Sequence, residues 1–178
     1  VAEWRVLCLS GSLRRRSGNT SLLLAARQLA PNTLALDMYD GLAQLPLFNP
    51  DDEVDPLPAS VQALRAAVGS SDALLIACPE YAHGIPGAFK NLLDWLVGSL
   101  EFPGKPVLLL NTSARSHHAS AALREVLQTM SARLLDSSCV TIPLPGVGCE
   151  VESILANDSF CKGLRDALNA LCRALLRE

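Results

Sequence analysis

Seven residues between positions 10 and 20, or just beyond, carry side chains that bind phosphate well: Ser10, Ser12, Arg14, Ser17, Asn19, Thr20 and Ser21. Their hydroxyls and amide are donors, and the Arg14 guanidinium adds a planar, charge-assisted fork that matches phosphate geometry. One such bond contributes about 1.5–3 kcal/mol, against about 0.3–1 kcal/mol for a helix dipole at an exposed site. Arg14 is therefore expected to outweigh the helix end in any phosphate affinity. The spacing matches neither G-x-G-x-x-G nor G-x-x-x-x-G-K-[ST], so a monophosphate suits this loop better than a triphosphate with magnesium. The same residues also suit a polar turn in which Ser17 or Asn19 caps a helix. From this stretch alone both readings stand.

The elements around the loop set its position. Residues 6–9 form a short apolar run suited to a strand buried on both faces, and residues 22–29 read as helix. A strand, a polar glycine-containing loop and a helix start give converging backbone N–H groups at a positive dipole end. A second strand is expected over 33–38. An irregular stretch follows over 39–58, with four prolines and the acidic group Asp51, Asp52 and Glu53, read as a solvated face. Leu42, Leu45, Leu47 and Phe48 are too apolar for a solvated loop and should pack on the body or on a partner subunit. A helix over 59–68 leads to the strongest strand, 73–78, and then to Pro79, Glu80, Tyr81, Ala82, His83 and Gly84. Pro86 suits the start of the next helix, which carries Phe89, Leu92, Leu93, Leu96 and Val97 at helical spacing.

A strand over 107–110 then runs into the polar loop 111–118, which holds Ser113 and Arg115. A helix over 119–133, a fifth strand over 138–142 and a turn over 143–150 come next. The last helix places Leu164, Leu168, Leu171 and Leu175 on one face. Alternating strands and helices imply one α/β domain spanning 1–178, a doubly wound sheet of five parallel strands. Ligands of such sheets sit beyond the carboxyl ends of the strands. The loops after strands one, three and four lie there together. The first seeks phosphate, the second is aromatic and the third is polar, which suits a ligand with a phosphate at one end and a flat ring at the other.

The chain-wide properties narrow the class. With 178 residues, 49% of them apolar, and a net charge of −3, the chain is globular and lacks the basic face of a nucleic-acid binder. No apolar stretch reaches the length of a membrane span, and the first residues do not resemble a signal peptide, so a cytoplasmic location is expected. The six cysteines include no C-x-x-C pair, and Cys8 and Cys78 fall in expected strands, where a thiol acts as a small apolar group. A metal site has little support.

Two motifs together resemble the NADPH-dependent FMN reductases, flavodoxin-like enzymes that include quinone, azo-dye and chromate reductases. The first is G-S-x-R-x-x-S-x-N at residues 11–19; the second is P-E-Y-x-x-x-x-P-x-x-x-K-N-x-x-D-W at residues 79–95. Residues 45–48 are similar to the family's loop after strand two, and the likeness covers about residues 5–145. It implies a flavodoxin-like strand order 2-1-3-4-5. It also implies an FMN phosphate held by Ser10, Ser12, Arg14, Ser17, Asn19 and Thr20. Pro79, Glu80, Tyr81, Ala82 and Gly84 would line the isoalloxazine, with Ser113 and Arg115 on the third loop. A hydride would pass from NADPH or NADH through FMN to a small acceptor: a quinone, free flavin, azo compound or metal oxyanion. The chemistry is flavin-borne, so no side chain is named as acid, base or nucleophile. Apart from the resemblance, Leu45, Leu47, Phe48 and Trp95 would leave an apolar patch exposed, so a homodimer or homotetramer is expected, and the charge and hydropathy above point to no nucleic-acid or membrane partner.

The chain departs from the family pattern in two places. Ala82 stands where the family usually has Asn, and the third loop, normally glycine-rich, reads Ser113, Ala114, Arg115, Ser116, His117, His118. His83, His117 and His118 are expected at the surface, and Trp95 in the core or a subunit interface. Two other functions compete: a flavodoxin-type electron carrier, and a flavodoxin-like structural or regulatory protein without flavin.

Overall fold

The computed structural model describes residues 4–146 and 148–176; Val147, inside the expected turn 143–150, lies outside the described residues. The elements run β1 Trp4–Ser10, α1 Gly18–Leu29, β2 Leu34–Met38, α2 Ala59–Gly69, β3 Ala73–Ala77 and α3 Gly87–Val97. They continue with β4 Pro106–Asn111, α4 His117–Thr129, β5 Arg133–Leu134, β6 Val140–Thr141, α5 Val151–Leu155 and α6 Asp158–Leu175. The sheet is parallel throughout, in the order β2-β1-β3-β4-β5, and β6 also pairs with β4. This is the expected doubly wound order.

Strand periodicity builds two cores. Val6, Cys8, Leu75, Leu108 and Leu110 point to one face, where α1 and α6 cover them with Leu22, Leu164, Leu168 and Leu171. Leu7, Leu9, Leu74, Ile76 and Leu109 point to the other, under Leu64 of α2, Phe89 and Trp95 of α3 and Leu123 of α4. Both faces of β3 are sealed, which explains its uninterrupted apolar sequence.

The fifth strand corrects the sequence expectation of a single run over 138–142. Only β6 falls within it, pairing with Leu110 and Asn111, while β5, ahead of the expected run, pairs with Pro106 and Val107. Between them Asp136–Ser138 makes a 3-10 turn, as a polar triplet of turn formers readily does. The Cys139 sulfur accepts from Leu109 N at 3.4 Å and so takes the place of the missing ladder partner. Helix α4 also stops at Thr129, short of the expected 133, because Ser131 adopts φ 63° and Arg133 enters β5.

The long segment after β2 folds back on its own body. Asn91 Nδ2 and Trp95 Nε1 donate to Pro46 O at 2.9 and 2.8 Å, and Phe48 N donates to Asn91 Oδ1 at 2.7 Å. The Phe48 ring stands edge-on to Trp95 with centroids 5.0 Å apart. Leu42 and Trp95 are buried, while Leu47 stays exposed. Glu53 is not simply a solvated acid, since Arg65 donates to it and to Trp95 O.

Candidate flavin site

β1 delivers the chain to the carboxyl edge of the sheet, where Gly11 N donates to Ala77 O at 2.9 Å and ties the first loop to β3. A Cβ on Gly11 would meet Cys78 Sγ at 2.8 Å, so this close approach requires glycine. The loop then builds a staircase of side chain to backbone bonds. Ser12 N donates to Ser10 Oγ at 3.4 Å and Arg14 N to Ser12 Oγ at 3.3 Å. Ser17 is the cap of α1, accepting from Thr20 N at 3.4 Å; Asn19 instead lies in the first turn. Its Oδ1 accepts from Thr112 Oγ1 at 3.3 Å and joins the first loop to the third.

The third loop repeats the staircase after β4. Ser113 N donates to Asn111 Oδ1 at 3.1 Å and Arg115 N to Ser113 Oγ at 3.2 Å. Helix α4 has no side-chain cap of its own. Glu80 supplies one from the second loop: its Oε2 accepts from Ala119 N at 2.8 Å, and its Oε1 lies 3.2 Å from His83 Nδ1. The Ala119 amide, together with His83 and His118, holds the Glu80 carboxyl below the ordinary carboxylate value against the opposing effect of desolvation. All three histidines of the chain gather here, with ring centroids 4.5 Å apart for His83 and His118 and 4.1 Å for His117 and His118. Among the described residues no cluster of three or more His, Cys, Asp or Glu is placed to hold a metal ion.

The second loop turns tightly. Tyr81 N donates to Gly84 O at 3.1 Å and Gly84 N to Tyr81 O at 2.9 Å, with Ala82 at φ 49° and His83 at φ 59°. Two successive left-handed residues make the primed turn of a two-residue hairpin. Asn enters that region more readily than Ala, a backbone cost attached to Ala82. The turn projects Tyr81 outward.

Together these loops enclose a chamber of about 590 Å³, within the range of cofactor sites. Ser12, Arg14, Ser17 and Asn19 form one wall, Pro79, Glu80 and Tyr81 a second, and Ser113 and Arg115 a third. Ser10 and Thr20 stand behind the wall, their hydroxyls bonded to each other at 2.8 Å. Ala82 and Gly84 shape the turn and do not line the chamber. Sequence reasoning missed Thr112 and the segment 143–146, which closes a fourth side after Leu144 N donates to Thr112 O at 3.0 Å. Its prolines and its place after the last strand were the available signal. Arg16 bonds Glu150 at 2.7 Å and latches the following segment to the first loop.

Arg14 and Arg115 face this chamber from different loops with no ion-pair partner among the described residues. Burial pushes the Cys8 and Cys78 thiols up to about 12, so neither is a thiolate nucleophile at neutral pH.

The family model described as NADPH-dependent FMN reductase matches residues 4–144. The chain belongs to that family. An NAD(P)H-dependent FMN reductase of Pseudomonas aeruginosa is 31% identical over 172 residues, covering 94% of this chain and 92% of the relative. A quinone reductase of Pseudomonas putida is 33% identical over 145 residues, covering 79% and 75%. A probable NADPH:quinone oxidoreductase of Oryza sativa is 45% identical over 95 residues; that match spans 51% of this chain but only 46% of the relative. Among solved structures, the flavoenzyme NAD(P)H:(acceptor) oxidoreductase of Paracoccus denitrificans superposes with a TM-score of 0.80 at 26% identity, covering 98% of both chains.

FMN reductases of this family are oxidoreductases with an NAD(P)H donor. The chamber fits FMN. A hydroxyl-rich loop, the start of α1 and Arg14, which has no ion-pair partner among the described residues, line it together with the Tyr81 wall. Among the described residues no helix is long and apolar enough to cross a membrane.

Proposed function

We propose that this chain is an NAD(P)H oxidoreductase that transfers hydride through FMN to a small quinone. The pairing of Arg14 with the capped start of α1 on the wall of a chamber of cofactor size carries the reading. Arg14, Ser12, Ser17 and Asn19 hold the phosphate, backed by Ser10 and Thr20. Pro79, Glu80 and Tyr81, with Ala82 and Gly84 shaping their turn, form the wall beside the ring. Ser113 and Arg115 close the third side, with Arg115 as the cation available for a ring carbonyl. Bound FMN supplies the two-electron chemistry, and the protein contributes binding, orientation and dipoles. The quinone assignment draws on relatives named quinone reductase and NADPH:quinone oxidoreductase.

Self-association is part of this proposal. Leu47 on the segment bonded to α3, Val97 at the end of α3 and Leu100 just beyond it remain exposed. A homodimer or homotetramer would cover them.

The test records the visible spectrum of the purified protein, repeats it after adding FMN, and assays oxidation of each nicotinamide with a quinone present. A flavin spectrum with quinone-dependent NAD(P)H oxidation is expected. Bound FMN inert to both nicotinamides would make the protein an electron carrier. No flavin spectrum, no thermal stabilisation by FMN and no activity would overturn the enzyme reading.

A further inference from the structure

A second cavity abuts the flavin chamber. It has a volume of about 320 Å³ and shares Arg14 and Tyr81 with that chamber, so the two meet at these side chains. Its other walls are Gly11, Leu13 and the start of α3 at Pro86, Gly87 and Ala88. No carboxylate lines it, and Arg14 is its one charged residue.

Two features make this cleft more than a surface dent. Leu13 is 57% exposed and Tyr81 48% exposed, an aliphatic and an aromatic side chain presented at one opening. Tyr81 is held there by both hydrogen bonds of its hairpin, with Ala82 and His83 in the left-handed region. The junction between the two cavities is therefore held in place by the Tyr81 turn.

Gly87 lines the cleft as an exposed residue. It is the first residue of α3, outside the positive-φ region, and a Cβ added to it would meet nothing within 4 Å. Neither backbone conformation nor close packing demands glycine here, and helix propensity favours other residues. A side chain at this position would project into open space at the rim of the cleft that Gly87 and Leu13 both line.

We propose that this cleft is a second subsite, which holds the apolar, non-reacting end of a flat aromatic acceptor while its reacting end reaches the Tyr81 edge. The inference rests on the flavin reading above and adds a location and a selection rule. Apolar walls and a nearby cation favour an uncharged ring system over a cationic dye. Binding energy gathered from the remote ring then discriminates among acceptors. Leu13, Tyr81 and Gly87 are the residues that set the choice.

The experiment compares the wild-type protein with Gly87→Leu, which fills the cleft, and Leu13→Asn, which makes an exposed wall polar without touching the core. The first readout is 2-naphthol binding to the FMN-loaded protein without nicotinamide, by calorimetry. Each variant is expected to weaken it, Gly87→Leu by about tenfold or more. FMN affinity and the rate of flavin reduction by NAD(P)H should stay unchanged. The second readout is KM for 1,4-naphthoquinone relative to 1,4-benzoquinone. The wild type should favour the larger ring, and Gly87→Leu should erase the difference. Unchanged naphthol affinity in both variants would overturn the subsite. So would an equal loss of FMN or nicotinamide reactivity in Gly87→Leu, because the two cavities would then be one. A wild type that binds no FMN defeats the flavin reading itself, and the acceptor role with it, whatever naphthol does.

Discussion

The first and third loops of the site solve one problem by different means. Each leaves a buried parallel strand, climbs a staircase of side chain to backbone bonds and presents an arginine to the chamber: Ser10, Ser12, Arg14 in one and Asn111, Ser113, Arg115 in the other. The first closes on itself, because Ser17 caps α1 from within the same loop. The third borrows its cap, since α4 is held by Glu80 from a loop nearly forty residues earlier, on the segment that leads from β3 into α3. A loop that satisfies its own helix start can hold its shape through local bonds. A loop that borrows its cap depends on the fold around it.

The largest expected effect falls on the self-contained loop. Arg14→Ala should weaken FMN by about 1.5–3 kcal/mol, roughly ten- to a hundredfold, with the melting temperature of the apoprotein unchanged. Titration of apoprotein with FMN measures it, and an unchanged dissociation constant would mean that the loop hydroxyls hold the phosphate alone. Ser17→Ala should cost about 1 kcal/mol of stability through loss of the α1 cap, read by chemical denaturation.

Acid tests the borrowed cap. Because the folded Glu80 carboxyl titrates below its ordinary value of 4.5, its contribution is fully present above that value. It is lost as pH falls through the lower folded value. Melting curves across this window should flatten in Glu80→Gln relative to the wild type. Equal slopes would show that the carboxylate does not hold α4. The smallest effect on affinity belongs to Arg115→Ala, expected to change FMN binding by less than about threefold while slowing flavin reduction by NADPH more than that. An Arg115→Ala loss as large as that of Arg14 would erase the distinction between the loops.

The same contrast explains what could be read from sequence. The first loop's donors are contiguous, and its strand and helix flank it directly, so its place and cap followed from residues 6–29. The long segment after β2 was legible too, since Leu42 and Phe48 were too apolar for solvent and do pack on the body. Glu80 as the cap of α4, and the meeting of His83 with His118, depend on contacts 39 and 35 positions apart in the chain. No local pattern encodes them. The fifth strand failed for another reason. The run near 138–142 has the composition of a strand, but the turn-forming Asp136, Ser137 and Ser138 cut its start back to Val140 and part it from a second fragment, Arg133–Leu134, that pairs ahead of it.

That split has a consequence for how copies of this protein can meet. A long, regular edge strand offers a row of free amides and carbonyls on which another chain can add itself. Here the β4 side of the sheet ends in two fragments of two residues each, offset by a helical turn, with a cysteine sulfur filling the gap. Such an edge cannot template a continuous further strand. Sheet extension from one molecule into the next, and the fibrous growth that follows from it, is blocked on this side of the sheet, in contrast to the regular five-residue edge strand β2 on the other.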